Sequence, residues 1–309
     1  MAASKKAAHA VPFLKWAGGK RQLLRELRRF VPRRLSAYTE AFLGSGALFF
    51  DLAAARRLDD VPVRLIDNNA DLAGTYRALS QQPESVIERL RALAGGHRSG
   101  GSGFYYDVRN RRFNPERERW RALADDTPYG ADLAAQFLYL NRTGFNGLFR
   151  LNRKGDFNVP VGRYDDPKIC DEPNLTRVAA LLRQPNVFII RDTFERVRDT
   201  AEPGAFIYFD PPYAPLSPTS QFRSYTAEGF SAAHQVRLQA LIIELARRGC
   251  QVLLSNSVAP QIVSLYQDNL EARRAGLRVY RVRARRAINS KAGARGPIDE
   301  LIVSNVAPA

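Results

Sequence analysis

The sequence predicts an α/β fold: a mostly parallel sheet covered by helices, closed by an antiparallel C-terminal hairpin and interrupted by an inserted domain. Three observations carry this. Short apolar runs alternate with helix-length amphipathic segments, the pattern of strands joined by helical crossovers. Near the end, "LRVYRVRARRAI" and "IDELIVSNV" read as two strands joined by the basic, Gly-rich "NSKAGARGP". Between residues 76 and 176 the alternation stops, giving way to "AGGHRSGGSG", "VRNRRFNPERERWR" and "FLYLNRTGFNGLFRLNRKGDFNVPVGRY".

The elements follow in order. "AYTEAFLGSGALFFDLAAARR" reads as a strand, a Gly-rich turn and a helix from about Ala47 to Arg57. "VPVRLIDNN" is a strand ending at Asp67, and "NVFIIRDTF" one ending near Asp192. Ala205 to Phe209 is continuously apolar, as a strand buried on both faces must be. In "LQALIIELARRGCQVLLSNS" an amphipathic helix presents Leu238, Leu241, Ile242 and Leu245 and stops at Gly249, where a glycine cap belongs. A buried strand, Val252 to Leu254, follows. These elements divide the chain into a basic tail (1–10), an α/β domain built from 11–75 and 177–309, and an insertion (76–176). "AGGHRSGGSG" is expected to be a flexible stretch of that insertion.

Composition narrows the function. The 309 residues are 45% hydrophobic, enough for a substantial core, and 47 Lys plus Arg against 31 Asp plus Glu leave a net charge of +16. That excess suits a polyanion, whose counterions basic side chains release, and it also suits simple solubility. Cys170 and Cys250 form no C-x-x-C, and His9, His97 and His234 are scattered. No zinc site, disulfide framework or histidine triad has its parts, and the thiols suit a reducing cytoplasm. Lys5, Lys6, His9, Pro12 and Lys15 break the N-terminus before any signal-length apolar run, and no stretch is long enough to span a bilayer.

The glycines of "FLGSGALF", directly after a strand, let the backbone turn tightly beside a ligand. As a dinucleotide fingerprint the stretch fails, because Phe49 stands where a third glycine is required. Asp67, ending the next strand, is nevertheless placed like an acid that bonds ribose hydroxyls. A nucleoside-containing cofactor fits, and so does a capping turn with a surface acid. "KWAGGKRQLL" is not a phosphate-binding loop: Leu14 replaces the first glycine, and Arg21 the hydroxyl residue that binds magnesium.

"IYFDPPYAP" ends a buried strand on Asp210, at the carboxyl end where open α/β sheets collect ligands. One reading is a rigid turn with a solvated carboxylate. The other is a grip for an exocyclic amine, whose lone pair is delocalised into its ring. The Asp210 carboxylate and the Pro211 carbonyl accept its two protons, Pro211 and Pro212 fix the loop, and Tyr213 stacks on the base.

In that order, "PFLKWAGGK", "FLGSGALFF", "FLYLNRTGFNGLFR", "FNVPVGRY" and "YFDPPYAPLS" closely resemble the Dam family of DNA adenine methyltransferases, from Pro12 to about Asn305. The resemblance implies a Rossmann-like S-adenosylmethionine-dependent methyltransferase sheet with an inserted, mainly helical DNA-recognition domain. It implies methyl transfer to N6 of a flipped adenine in double-stranded DNA, in GATC, with no metal. It assigns Trp16, Lys20, Gly44, Ser45, Gly46, Asp67 and Asp210 to the cofactor, and Asp210, Pro211, Pro212 and Tyr213 to the target base. Phe145 matches the aromatic that fills the gap left by the flipped nucleotide, and Asn146 the residue beside the orphaned partner. Leu148, Arg150 and Pro160 match readers of the outer bases, Lys15 a contact to the first guanine, and Arg163 a basic DNA contact. Ala41 departs from the proline common in the family. Arg109, Arg111, Arg112, Lys291 and Arg295 are expected either on phosphates or on a solvated face. A catalytically silent DNA-binding homologue and an RNA adenine methyltransferase are the competing readings. The implied enzyme is cytoplasmic, with no membrane association and no obligate protein partner.

Overall fold

The computed structural model describes residues 9–16, 18–124, 127–213, 230–285 and 297–309. Among them seven strands form one sheet: β1 (Tyr38–Glu40), β2 (Val63–Asp67), β3 (Val187–Arg191), β4 (Phe206–Phe209), β5 (Gln251–Ser257), β6 (Arg278–Arg285) and β7 (Pro297–Ser304). Their order is β3-β2-β1-β4-β5-β7-β6. The first five in that row run parallel, and β7 is antiparallel to β5 and β6. This is the Rossmann-like mixed sheet with an antiparallel C-terminal hairpin.

The apolar run of β4 shows why both faces must be covered. Successive strand side chains point oppositely, so Phe206 and Tyr208 enter one core while Ile207 and Phe209 enter the other. From β1 the chain steps outward through β2 to β3, then returns to the other side of β1 as β4. The strand order therefore reverses between β1 and β4, which opens a crevice at their carboxyl ends. The glycine turn, Asp67 and Asp210 follow or end β1, β2 and β4, so one topological fact gathers all three.

Helices α1 (Leu24–Arg28), α2 (Ala47–Ala54) and α3 (Ala70–Gln81) precede α4 (Pro83–Asp107), α5 (Asn114–Arg121), α6 (Ala131–Thr143) and α7 (Glu172–Leu182). α2 stops at Ala54 rather than Arg57, because Arg56 adopts a left-handed φ of 55°. β3 ends at Arg191, and β5 extends beyond the predicted Val252–Leu254 in both directions. Gly249 does take the left-handed conformation of a helix stop, at φ 82°.

"AGGHRSGGSG" is not a flexible stretch but part of α4, with one break at Gly101. Its glycines make room for a ring: a Cβ on Gly96 would lie 2.3 Å from Phe104 Cζ. His97 Nδ1 lies 2.8 Å from the Tyr139 hydroxyl of α6, a second tie for the same turn. Packing thus overrides the poor helix propensity of glycine. Residues 76 and 177 fall inside α3 and α7, and Tyr76, Leu138 and Val178 share a core with Val63 and Leu65 of the sheet. No helix among the described residues is long and apolar enough to cross a membrane.

Candidate active site

The segment that carries Lys15 and Lys20 touches both halves of the site. At its far end Lys20 is buried, 6% exposed, with Nζ 2.8 Å from Asp210 Oδ1. The same ammonium donates to the Gly18 carbonyl at 2.6 Å and lies 4.5 Å from the centre of the Tyr213 ring. Ser255 Oγ, on β5, also donates to Asp210 Oδ1, at 2.9 Å, and itself lies 2.9 Å from the Tyr208 hydroxyl. Burial pushes the Asp210 carboxyl above the usual carboxylate range, and Lys20 and Ser255 pull it back.

The rest of the motif is held from outside itself. Gln235 donates to the Pro212 carbonyl at 3.2 Å and accepts from Asn256 Nδ2 at 3.1 Å, so β5 braces the second proline through one intermediary. Pro211 is buried and Pro212 exposed. The Tyr213 hydroxyl donates to Glu300 Oε2 on β7 at 2.6 Å. Burial, with the charges of Asp210 and Glu300, keeps that phenol protonated.

On the other side of the crevice Asp67 accepts from the backbone N–H of Gly44 at 3.0 Å and of Asn69 at 2.9 Å. Burial raises its pKa to about 6 against those two bonds. Gly44 has φ 48°, and a Cβ there would sit 2.9 Å from Trp16 Cδ1, so the turn admits only glycine beneath the indole. Trp16 stacks in turn on Phe149, with ring centres 6.0 Å apart. Ser45 is buried, and Gly46 opens α2 in a left-handed conformation. Trp16, Gly44, Ser45, Gly46 and Asp67 therefore lie together.

Glu40 was missed. It ends β1 as Asp67 ends β2, but it precedes the glycine turn, so the spacing that singled out Asp67 does not reach it. Its Oε2 accepts from the Tyr38 hydroxyl at 2.9 Å and the Phe49 N–H at 3.2 Å. Burial lifts its pKa to about 8, with Tyr38 opposing and Asp210 adding. Ser255, Gln235 and Glu300 were also missed, and no local pattern marks them.

The segment from Gly144 to Val161 folds back on itself, with bridges between Gly144 and Val161 and between Leu151 and Phe157. Phe145 is 43% exposed beside a turn in which Asn146 (φ 54°) and Gly147 (φ 62°) are left-handed. Gly147 presses on Lys15, where a Cβ would approach Lys15 Cβ to 2.3 Å. Asn141 ties both sides, accepting from Lys15 N at 2.9 Å and donating to the Lys15 carbonyl at 2.7 Å and that of Gly147 at 3.2 Å. Lys15 Nζ donates to the Arg142 carbonyl at 3.2 Å and lies 3.8 Å from the Tyr164 ring centre. Burial, then Arg142, lowers its pKa. Arg150 is exposed, its guanidinium held on the Asn158 side chain and carbonyl at 2.7 and 3.2 Å. Leu148 is partly buried, while Pro160 and Arg163 are exposed.

Of the basic residues expected on phosphates or a solvated face, Arg109 instead donates to the Val159 carbonyl at 2.8 Å, bracing this hairpin. Arg112 pairs with Asp107 at 2.7 Å, and Arg111 stands 3.8 Å from the same acid. Lys291 and Arg295 lie outside the described residues. Among those residues no group of three or more His, Cys, Asp or Glu is placed to hold a metal ion.

A family model described as D12 class N6 adenine-specific DNA methyltransferase matches residues 16–288. A type II methyltransferase of Lactococcus lactis subsp. cremoris is 37% identical over 294 residues, covering 95% of each chain. Another, of Methanocaldococcus jannaschii, is 38% identical over 305 residues, covering 95% of this chain and 98% of its own. The DNA adenine methylase of Escherichia coli is 33% identical over 290 residues, covering 94% of this chain and 93% of its own. The chain belongs to the D12 class of N6 adenine-specific DNA methyltransferases.

Proposed function

We propose that this enzyme transfers a methyl group from S-adenosylmethionine to N6 of an adenine extruded from double-stranded DNA, within GATC. The observation that carries the reading is the convergence on Asp210. A carboxylate at the carboxyl end of β4, paired with a buried Lys20 and bonded by Ser255, adjoins a braced Pro-Pro-Tyr segment. The glycine turn, whose Cβ space Trp16 fills, and the carboxylate of Asp67 beside it fit a nucleoside cofactor that carries no pyrophosphate.

When bound, S-adenosylmethionine supplies a methyl group on positively charged sulfur. The chain's own groups then do the positioning. Lys20 and Ser255 hold Asp210 Oδ1, and the carboxylate accepts one proton of the adenine amine while the Pro211 carbonyl accepts the other. Holding both protons turns the nitrogen lone pair out of conjugation and toward the methyl carbon. On this reading Asp210 also takes the proton that nitrogen sheds as it gains the methyl. Such alignment is worth about 7–11 kcal/mol in favourable cases.

Extruding the base costs a few kcal/mol of unstacking. The segment 76–176 is assigned to target recognition: Phe145 enters the stack, Asn146 supports the orphaned partner, and Leu148, Arg150 and Pro160 read outer bases. Lys15 contacts the first guanine, and Arg163 and Arg111 contact the backbone. The enzyme works in the cytoplasm on the nucleoid. Single-molecule sequencing of DNA from a methylation-free host expressing the chain tests the whole assignment. N6-methyladenine confined to GATC is expected; another context overturns the sequence assignment, and unmodified adenine overturns the function.

A further inference from the structure

The aromatic residue of the Asp-Pro-Pro-Tyr motif takes its orientation from a residue far away in the chain. Tyr213 donates its hydroxyl proton to Glu300 Oε2 at 2.6 Å. Glu300 stands on β7 opposite Ser257 of β5 and Val282 of β6. A strand with partners on both sides is rigid scaffold, so the carboxylate is delivered from a fixed point rather than from a loop. The Lys20 ammonium lies over one face of the same ring. The hydrogen bond locates the tip of the ring, and the ammonium occupies one face.

We infer that Glu300 is a positioning residue for methyl transfer, which anchors the Tyr213 hydroxyl and thereby sets the plane on which the extruded base stacks. This rests on residues 210–213 being the base-holding motif. Without the anchor the phenol ring turns more freely about its side-chain bonds, and a misplacement of about 1 Å at a reacting centre can cost about a hundredfold in rate. The inference also gives the antiparallel hairpin a task beyond completing the sheet, since β7 carries the anchoring carboxylate.

The test compares the full-length wild type with Glu300→Ala, Glu300→Gln, Tyr213→Phe and the Glu300→Ala/Tyr213→Phe pair. Single-turnover methylation, duplex affinity and the emission of 2-aminopurine placed at the target adenine are measured on each. Glu300→Ala is expected to slow transfer by about tenfold to a hundredfold while duplex affinity stays within about threefold. Emission should rise, because a flipped base no longer held against the ring is less quenched. Glu300→Gln should restore most of the rate, since its amide oxygen still accepts the phenol proton. Tyr213→Phe should match Glu300→Ala, and the pair should be no slower than either alone. A wild-type rate in Glu300→Ala, additive losses in the pair, or Glu300→Gln as slow as Glu300→Ala would each overturn the inference. If Glu300→Ala does not fold, Tyr213→Phe decides: a wild-type rate there overturns it, and the predicted loss with raised emission supports it. A wild type that never methylates adenine would instead refute the reading of the motif itself.

Discussion

Lys20 Nζ lies 2.8 Å from Asp210 Oδ1, joining residues 190 positions apart at the mouth of the β1/β4 crevice. The pair sets the ionisation of the carboxylate proposed to hold the target amine. Burial alone favours the neutral acid, and the buried ammonium opposes it. Lys20→Met removes that opposition, so the Asp210 pKa must rise. The ionised form is then lost at a higher pH than in the wild type. Single-turnover rates measured across pH should show the acid limb displaced upward in Lys20→Met, and an unmoved limb would separate Lys20 from Asp210.

Glu40 gives a stability prediction of definite sign. Its pKa is about 8 when folded, against 4.5 for the free side chain. Between those values the folded chain keeps a proton that the unfolded chain has released, so unfolding becomes easier as pH rises. Each unit of difference is worth about 1.4 kcal/mol. Glu40→Gln retains an oxygen for Tyr38 and Phe49 but cannot ionise. Its urea midpoint should fall less than that of the wild type between pH 5 and pH 8, and parallel curves would contradict the assignment.

Reading and anchoring should separate in the segment proposed to recognise the target. Arg150 stands on the hairpin beside Asn158, and Arg111 is 84% exposed. Arg150→Ala is expected to lose about 1–3 kcal/mol of discrimination at one base position. Arg111→Ala should weaken every sequence alike and reduce the salt slope of binding by about one. Titrations with cognate and single-substituted duplexes at several salt concentrations check both, and matching effects would erase the distinction.

The hairpin also has a buried electrostatic root. Arg117 Nε lies 2.8 Å from both oxygens of Asp71, and its Nη1 donates to the Gly155 carbonyl at 2.6 Å. Both side chains are buried. Arg117→Met leaves Asp71 with the Tyr129 hydroxyl at 3.1 Å and no cation. Removing one member of such a pair typically costs about 3–5 kcal/mol. Urea unfolding should show a loss of that order, and a loss below about 1 kcal/mol would class the pair with weak surface bridges.

Much of the sheet was legible because its signals are local. β2 ends at Asp67 as its apolar run does, β4 is the run before Asp210, and Gly249 stops its helix. Where the pattern misled, a distant partner was responsible. The glycines of α4 look like a flexible stretch until Phe104 packs against two of them and His97 meets Tyr139. Arg109 looks like a surface charge until the Val159 carbonyl is found beside it.

The sequence by itself determined where β2 and β4 end, the glycine turn and the order of motifs, because neighbouring residues and the periodicity of side chains decide these. Only the tertiary structure decided that Lys20 meets Asp210, that Ser255 and Gln235 brace the motif, and that Glu300 holds Tyr213. Each of those contacts joins segments brought together by strand order. Pairing across a sheet carries no local signature, since its register is settled by which strands become neighbours.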